Sequence, residues 1–501
     1  MAKKQSTRTK PRRLKGFRDI QPQDVSARDR MIATIRKVYE RYGFSPLETP
    51  ALEYVDCLGK FLPEADQPDA GIFAFRDEDD AWVALRYDLT APLSRYVAMN
   101  PDLPRPFRRY QVGPVYRLEK PGPGRFREFY QFDFDSVGTN SMLADAECCM
   151  VMCDALEALG IERGDYAVRL NDRKVLNGVL ETIRSDGAIE NRTAQDVLRT
   201  IDKLDRIGID GVTQLLGEGR KDESGDFTRG CRLSPGQIDV VTKYLMAEGA
   251  TRAKLCDALE KLVGESEVGR AGVDELRQID AALASAGYDE DRALIDPTVV
   301  RGLGYYTGPV YEGVLTFAVV DQDGVAREFG SVFGGGRYDD LVERFTGHKV
   351  PATGASIGVD RLLAALKTLG KVDTPATTAA VLVTRLDKNL TGEYQRMVAE
   401  LRGSDLNAEL YVGNQSIKKQ FKYASDTNKI VAIVAGSDEM GAGEVSIKDL
   451  RLGVELSKEV GADRKRWLES QPAQFKTKRE NLVACVKEVL ARYGGPSRNP
   501  A

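Results

Sequence analysis

Residues 107–138 are FRRYQVGPVYRLEKPGPGRFREFYQFDFDSVG. Two strand-like runs flank Glu119-Lys120-Pro121-Gly122-Pro123-Gly124, where proline and glycine demand a loop. The segment is therefore an antiparallel hairpin with a long tip flanked by basic residues. Along its second strand, alternation puts Arg125, Arg127, Phe129, Gln131, Asp133 and Asp135 on one face. Tyr130, Phe132 and Phe134 occupy the other, so one face belongs to a packed core and the other is chemically rich. A solvated polar face is the ordinary explanation of such alternation. Gln131 and Asp135 behind Arg125-x-x-x-Phe129 are unusual choices for solubility alone.

Outward from the hairpin, Met31, Ile32, Ile35, Val38, Tyr39 and Tyr42 recur at helical spacing within residues 26–42, and Gly43 stops that helix. The next segment, Phe44–Pro50, contains two prolines and suits an edge strand at a sheet border or a dimer seam. A helix is predicted over 144–159, and 172–295 reads as a mostly helical insertion with few strand signals. Strand signals return at 301–320 and 326–333, followed by Gly334-Gly335-Gly336 and a helix over 358–369. Beyond the soft stretch Lys371–Thr378 come strands at 379–384, 408–412, 429–435 and 444–448, with helices at 389–402 and near 478–493. This alternation indicates a small α/β domain on a mainly parallel sheet. The expected organisation is a disordered basic tail (1–14), an α+β domain of antiparallel sheet with helices (15–370) and a C-terminal α/β domain (379–493). The tail 494–501 is expected to be disordered.

Composition narrows the class without naming it. With 501 residues, 42% apolar and 30% charged, the chain has material for two or three cores and no apolar run long enough for a membrane span. Seven scattered cysteines without a C-x-x-C pair read as reduced thiols, which points to the cytoplasm. Cys148, Cys149 and Cys153 share a predicted helix, but the lone His348 cannot complete a zinc site with them, and no metal ligands are assigned. Net charge is −4, so a polyanion must be met by local basic clusters.

Several segments together resemble class II aminoacyl-tRNA synthetases. Tyr116-Arg117-Leu118-Glu119 followed by Arg125-x-x-x-Phe129 is similar to their motif 2, Gly354–Arg361 to motif 3, and the first helix with Pro50 to motif 1. Arg301-Gly302-Leu303-Gly304-Tyr305-Tyr306-Thr307-Gly308 and Gly334-Gly335-Gly336-Arg337-Tyr338-Asp339 resemble the two motifs of the histidyl-tRNA synthetase family. Lys15–Asp19 and Leu85–Thr90 look like segments of the same family, the latter in its eukaryote-like version. Departures are Gly304 for the usual Asp, Asp360 for the common Glu and Phe17 for the common Thr, which bear on loop rigidity more than on chemistry.

The resemblance implies a class II catalytic sheet, a C-terminal anticodon-binding domain, and activation of histidine by ATP before transfer to the 3′ end of tRNA(His). It places Arg117 and Arg301 at the α-phosphate and substrate carboxylate, with Mg²⁺ bridging phosphates. Glu119, Arg125, Phe129 and Arg361 join Arg117 in binding ATP. Asp88, Thr90 and Gln131 would hold the α-amino group, and Asp135 with Tyr306 the imidazole, whose two nitrogens need one donor and one acceptor partner. Arg301 and Tyr305 complete the histidine set, although a buried structural tyrosine is the ordinary reading of Tyr305. Lys418, Lys419, Lys422 and Tyr423 could contact RNA, or simply form a solvated helix face. The implied partners are histidine, ATP, tRNA(His) and a second copy in a homodimer. Two readings compete: a regulatory or tRNA-sensing paralogue without catalysis, and a class II synthetase for another amino acid. The retained arginines weigh against the first and Arg301–Gly308 against the second.

Overall fold

The computed structural model describes residues 9–58, 71–118, 120, 126–184, 191–221, 225–300, 306–320, 326–372, 377–459 and 473–493. The chain divides into two compact units, Ala27–Val372 with Met1–Ile20, and Asp373–Ala501 with Gln21–Ser26.

In chain order the strands of the first unit are β1 (Ser45–Pro46), β2 (Leu52–Tyr54), β3 (Ala74–Arg76), β4 (Trp82–Leu85), β5 (Phe107–Tyr116), β6 (Glu128–Val137) and β7 (Tyr166–Asp172). There follow β8 (Gly219–Lys221), β9 (Phe227–Arg229), β10 (Ala293–Ile295), β11 (Pro309–Val320), β12 (Ala326–Arg337) and β13 (Ala352–Gly358). Eight of them build one sheet in the order β1-β5-β6-β13-β12-β11-β7-β10. Its six inner strands pair antiparallel, and only the end pairs β1–β5 and β7–β10 are parallel. The expected hairpin is its spine, with Arg109 opposite Asp135 and Gly113 opposite Gln131.

One face of this sheet is covered by the helices Pro22–Arg41 and Met142–Ala158. The core-facing aromatics of the hairpin explain why. Tyr39 packs its ring 4.8 Å from both Phe132 and Phe134, and Phe44 lies 5.3 Å from Phe134. Burying such rings, at roughly 1.5–3 kcal/mol each, fixes the first helix on the hairpin. Cys148, Cys149 and Cys153 are core residues of the Met142–Ala158 helix. The opposite face is covered near its upper edge by the helix Thr90–Met99, through Leu93 and Val97 against Val137, Tyr338 and Ala352.

Among the described residues, the stretch 172–295 carries the helices Arg173–Arg184, Asn191–Ile201, Leu204–Leu216, Pro235–Leu245, Arg252–Val263 and Glu267–Ser285. It is not a separate excursion, however. β7 at its start and β10 at its end pair with each other inside the main sheet. Six of the seven residues of β7 are buried, so the period-two signal that marks a strand is lost. The small sheet β2-β4-β3 and the β8–β9 hairpin were also not expected.

The second unit has strands β14 (Val381–Val383), β15 (Ala408–Leu410), β16 (Val431–Val434), β17 (Glu444–Asp449) and β18 (Gln474–Lys478), ordered β15-β14-β16-β17-β18. The expectation of a mainly parallel sheet needs correcting: β14 pairs parallel with β15 and β16, but β16–β17 and β17–β18 are antiparallel. β16 and β17 are separated by only one short helix, Ser437–Gly441, too little chain for a parallel crossover. Among the described residues no helix is long and apolar enough to cross a membrane. Of the two expected disordered tails, residues 1–8 and 494–501 lie outside the described residues, and 9–14 carry no regular structure.

Candidate functional site

The polar face of β6 is not a solvated surface. Asp133 and Asp135 are both buried, at 2% exposure. The Arg109 side chain, fully buried on the facing strand, sits 2.9 Å from Asp135 and donates to the Leu89 carbonyl at 2.9 Å. Tyr338 donates its hydroxyl to Asp135. Room for this carboxylate comes from β13, because a side chain on Gly354 would overlap the Asp135 oxygen and the Phe134 carbonyl. Gln131 donates its amide to the Ser356 hydroxyl at 2.6 Å.

Burial raises the pKa of Asp135, opposed by Arg109 and by the Tyr338 hydrogen bond. Asp133 is pushed up to about 7, chiefly by burial and also by Asp135 and Asp88, against Arg109 and the Ser356 hydrogen bond. Oδ1 of Asp133, Oε1 of Gln131, and Nε and Nη1 of Arg109 are buried without hydrogen-bond partners. Such groups are expensive to leave unmet, so their gathering on one face marks a place built for a polar ligand.

Asp133 has a measurable signature. Between about pH 4 and about 7 the folded chain keeps a proton that the unfolded chain has released, so stability falls as pH rises through that window. The full effect is on the order of 4 kcal/mol. Asp133→Asn should flatten the slope, so that the variant gains on the unsubstituted protein as pH rises. Urea unfolding at several pH values checks this, and parallel curves for the two proteins would contradict it.

Above this floor, Arg117 donates from Nε to the Tyr87 carbonyl at 3.1 Å, and its guanidinium lies 5.1 Å from the centre of the Phe129 ring. Asp88 is buried, which raises its pKa, while the Ala91 amide (3.0 Å), Arg117, the Thr90 amide and Arg109 lower it. Asp88 therefore caps the helix Thr90–Met99 while standing beside both arginines. The structure thus brings Asp88, Thr90, Arg117, Phe129, Gln131 and Asp135 to one side of β5, β6 and β13. Tyr306 packs against Gly336, where a Cβ would come within 2.8 Å of its ring, and shares the apolar cluster of Tyr338. Gly335 likewise leaves no space for a side chain against the β13 backbone. Arg361 is exposed at the start of the helix Val359–Thr368 and donates to the Phe329 carbonyl at 2.7 Å. Glu119, Arg125, Arg301 and Tyr305, with Gly304, lie outside the described residues.

Sequence reasoning missed Arg109, Ser356, Arg18 and the inward turn of Arg337. Arg18 pairs with Asp360 and stacks 3.9 Å over Phe126, while Asp360 also accepts from the Tyr130 amide at 2.8 Å. The segment around Phe17 is thereby laid along β6, where Gly16 accepts from the Arg127 amide at 2.9 Å. Arg337, inside a quoted motif, is buried against Asp145, which also accepts from Tyr311. Hairpin register was the available signal for Arg109: a turn centred on Gly122 puts it opposite Asp135. Among the described residues no three His, Cys, Asp or Glu side chains gather as a metal site.

A family model described as Histidyl-tRNA synthetase matches residues 16–362, and one described as Anticodon binding domain matches 379–488. The Histidine--tRNA ligase of Roseobacter denitrificans is 53% identical over 521 residues, which cover 99% of each chain. The chain belongs to the histidyl-tRNA synthetase family. A Brucella abortus Histidine--tRNA ligase is 52% identical over 484 residues, 96% of both chains. The crystal structure of histidyl-tRNA synthetase from Nostoc superposes with a TM-score of 0.73 at 30% identity, covering 97% of this chain and all of that one. In this member of the histidyl-tRNA synthetase family, the second unit exposes Lys418, Lys419 and Lys422 on the helix Ile417–Asp426. Tyr423 is engaged instead, donating to Glu409 at 2.5 Å with its ring 5.5 Å from Tyr411.

Proposed function

We propose that this chain activates histidine with ATP and transfers it to the 3′ end of tRNA(His). The observation that carries the reading is the Arg117–Phe129 stack standing beside Asp88 and above the buried polar floor of Gln131, Asp133 and Asp135. A cation over an aromatic ring suits a nucleotide phosphate and its base, and an acid-rich recess beside it suits an ammonium group.

In the first step a histidine carboxylate oxygen attacks the α-phosphorus of ATP and pyrophosphate leaves. No base is needed, because the attacking group is already ionised. Arg117, with Arg301, would neutralise charge on the phosphoryl oxygens, and Mg²⁺ brought in with ATP would supply further positive charge there. Phe129 and Glu119 would hold adenine, with Arg125 and Arg361 on the phosphates. Asp88, Thr90 and Gln131 would take the α-amino group; Asp135, Tyr306 and Tyr305 would face the imidazole. In the second step a terminal ribose hydroxyl of tRNA attacks the adenylate carbonyl and AMP leaves. Lys418, Lys419 and Lys422 would neutralise anticodon phosphates. The protein would work as a homodimer in the cytoplasm, a setting that suits its free, largely buried thiols.

Pyrophosphate exchange into ATP, run with each amino acid in turn, tests the first step. Exchange is expected with histidine alone. Exchange with another amino acid, or activation of ATP phosphoribosyltransferase in its place, would overturn the reading.

A further inference from the structure

Asp172 is the last residue of β7, and its backbone lies opposite Pro309, where β11 begins. The residue is fully buried. Glu275 reaches it from the helix Glu267–Ser285 of the insertion, with only 17% of its side chain exposed. Their carboxyl groups lie within hydrogen-bonding reach of each other. On the outer sides, the Lys174 amide donates to Asp172 Oδ1 at 2.8 Å and the Lys174 ammonium to Glu275 Oε1 at 2.5 Å. The remaining oxygens, Asp172 Oδ2 and Glu275 Oε2, are buried and meet no donor from any other group. Two ionised carboxylates offer only acceptors, so the contact requires a proton between them. Burial and the neighbouring Glu275 hold the Asp172 pKa well above the ordinary range, against the pull of the Lys174 amide and ammonium. The other groups facing the pair are the Tyr244 phenol, from the helix Pro235–Leu245, and Arg337, whose charge is committed to Asp145.

What the pair supports is the segment leading into β11. A Cβ on Gly308 would lie 3.5 Å from Glu275 Oε2 and 3.4 Å from the Arg337 chain, so this backbone runs between the two side chains at ordinary contact distance. The Arg173 amide donates to the Gly308 carbonyl at 3.1 Å, and the Thr307 amide to the Arg337 carbonyl at 2.9 Å. Tyr306 is the next residue and packs on Gly336.

We infer that Asp172 and Glu275 share one proton as a neutral-acid and carboxylate pair, and that this pair is a positioning device that locks the helical insertion to the Tyr306–Pro309 segment. The inference deepens the proposed function and rests on it in one respect, that Tyr306 faces histidine. Neither acid touches substrate; both act through Tyr306.

The test uses the full chain and the variants Asp172→Asn, Asp172→Ala and Glu275→Ala. An asparagine amide replaces the protonated acid as donor to Glu275, so Asp172→Asn should keep the histidine KM within about threefold of the unsubstituted protein. Both alanine variants should raise the histidine KM about tenfold or more, the scale of one lost buried hydrogen bond to a charged group, with the ATP KM and kcat moving less than about threefold. Native-state hydrogen exchange at the Thr307 amide reads the latch without substrate: protection should fall in both alanine variants and persist in Asp172→Asn. Asp172→Asn behaving like Asp172→Ala, or alanine variants with unaltered KM and protection, would overturn the inference. If the unsubstituted protein shows no histidine-dependent exchange, the functional reading fails, and Thr307 protection still decides the pair.

Discussion

Replacing Arg117 with alanine should lower histidine-dependent pyrophosphate exchange by on the order of 100-fold or more while leaving the sheet folded. The guanidinium is half-buried, with Nε on the Tyr87 carbonyl and its plane near the Phe129 ring. Removing it takes away a charge poised for the α-phosphate, while the buried Asp88 beside it keeps Arg109 and the Ala91 and Thr90 amides as partners. Arg117→Lys should recover only part of the rate, since a point charge cannot reproduce a planar fork stacked on an aromatic face. Single-turnover formation of the adenylate, with circular dichroism as the folding control, separates chemistry from product release. A normal rate in Arg117→Ala would mean that this arginine is structural.

The second large effect concerns Asp135, where stability and recognition meet. Asp135→Ala would leave Arg109 charged and fully enclosed, a loss of about 3–5 kcal/mol. That is a large part of the roughly 5–15 kcal/mol by which domains are stable. Asp135→Asn keeps an acceptor for the Tyr338 hydroxyl and should be destabilised less. It removes the charge proposed to meet the imidazole, so its histidine KM should rise more than its ATP KM. Adding Arg109→Met to Asp135→Ala should return part of the lost stability, because the unpaired cation goes with its partner. Urea unfolding and exchange kinetics on the same preparations check both halves. Equal losses for the two substrates would show that Asp135 only holds the strand, and an Asp135→Ala protein as stable as the unsubstituted one would remove the buried-pair argument.

The hairpin was legible because three independent signals agree on it: the Pro-Gly tip, the alternation, and the aromatics opposite the acids. Those signals also placed Gln131, Asp133 and Asp135 on one face, and the sheet keeps them there. What alternation could not convey was depth. Asp133 and Asp135 read equally well as solvated residues until Arg109 and the helix Thr90–Met99 cover them. Arg109 lay within reach through hairpin register, whereas Ser356, on β13, and Tyr338, just past β12, lie 200 or more residues away in sequence, and no local pattern announces their contacts. β7 was hidden by burial on both faces. The turn to antiparallel pairing at β16–β17 followed from connection length, which was readable in the 429–448 spacing and was overridden by the expectation of a repeated βαβ pattern. Gly354 carries a different lesson: within a motif whose glycines suit a turn, this one makes room for a carboxylate.

The central claim, that this chain joins histidine to tRNA(His), is tested most directly by charging bulk tRNA with labelled histidine, ATP and Mg²⁺. Recovering the acyl-tRNA and sequencing it identifies the acceptor. The account predicts an alkali-labile histidyl ester on tRNA(His) alone, formed at a rate that collapses in Arg117→Ala. Label on other tRNAs, or histidine-dependent pyrophosphate exchange with no ester formed, would contradict it.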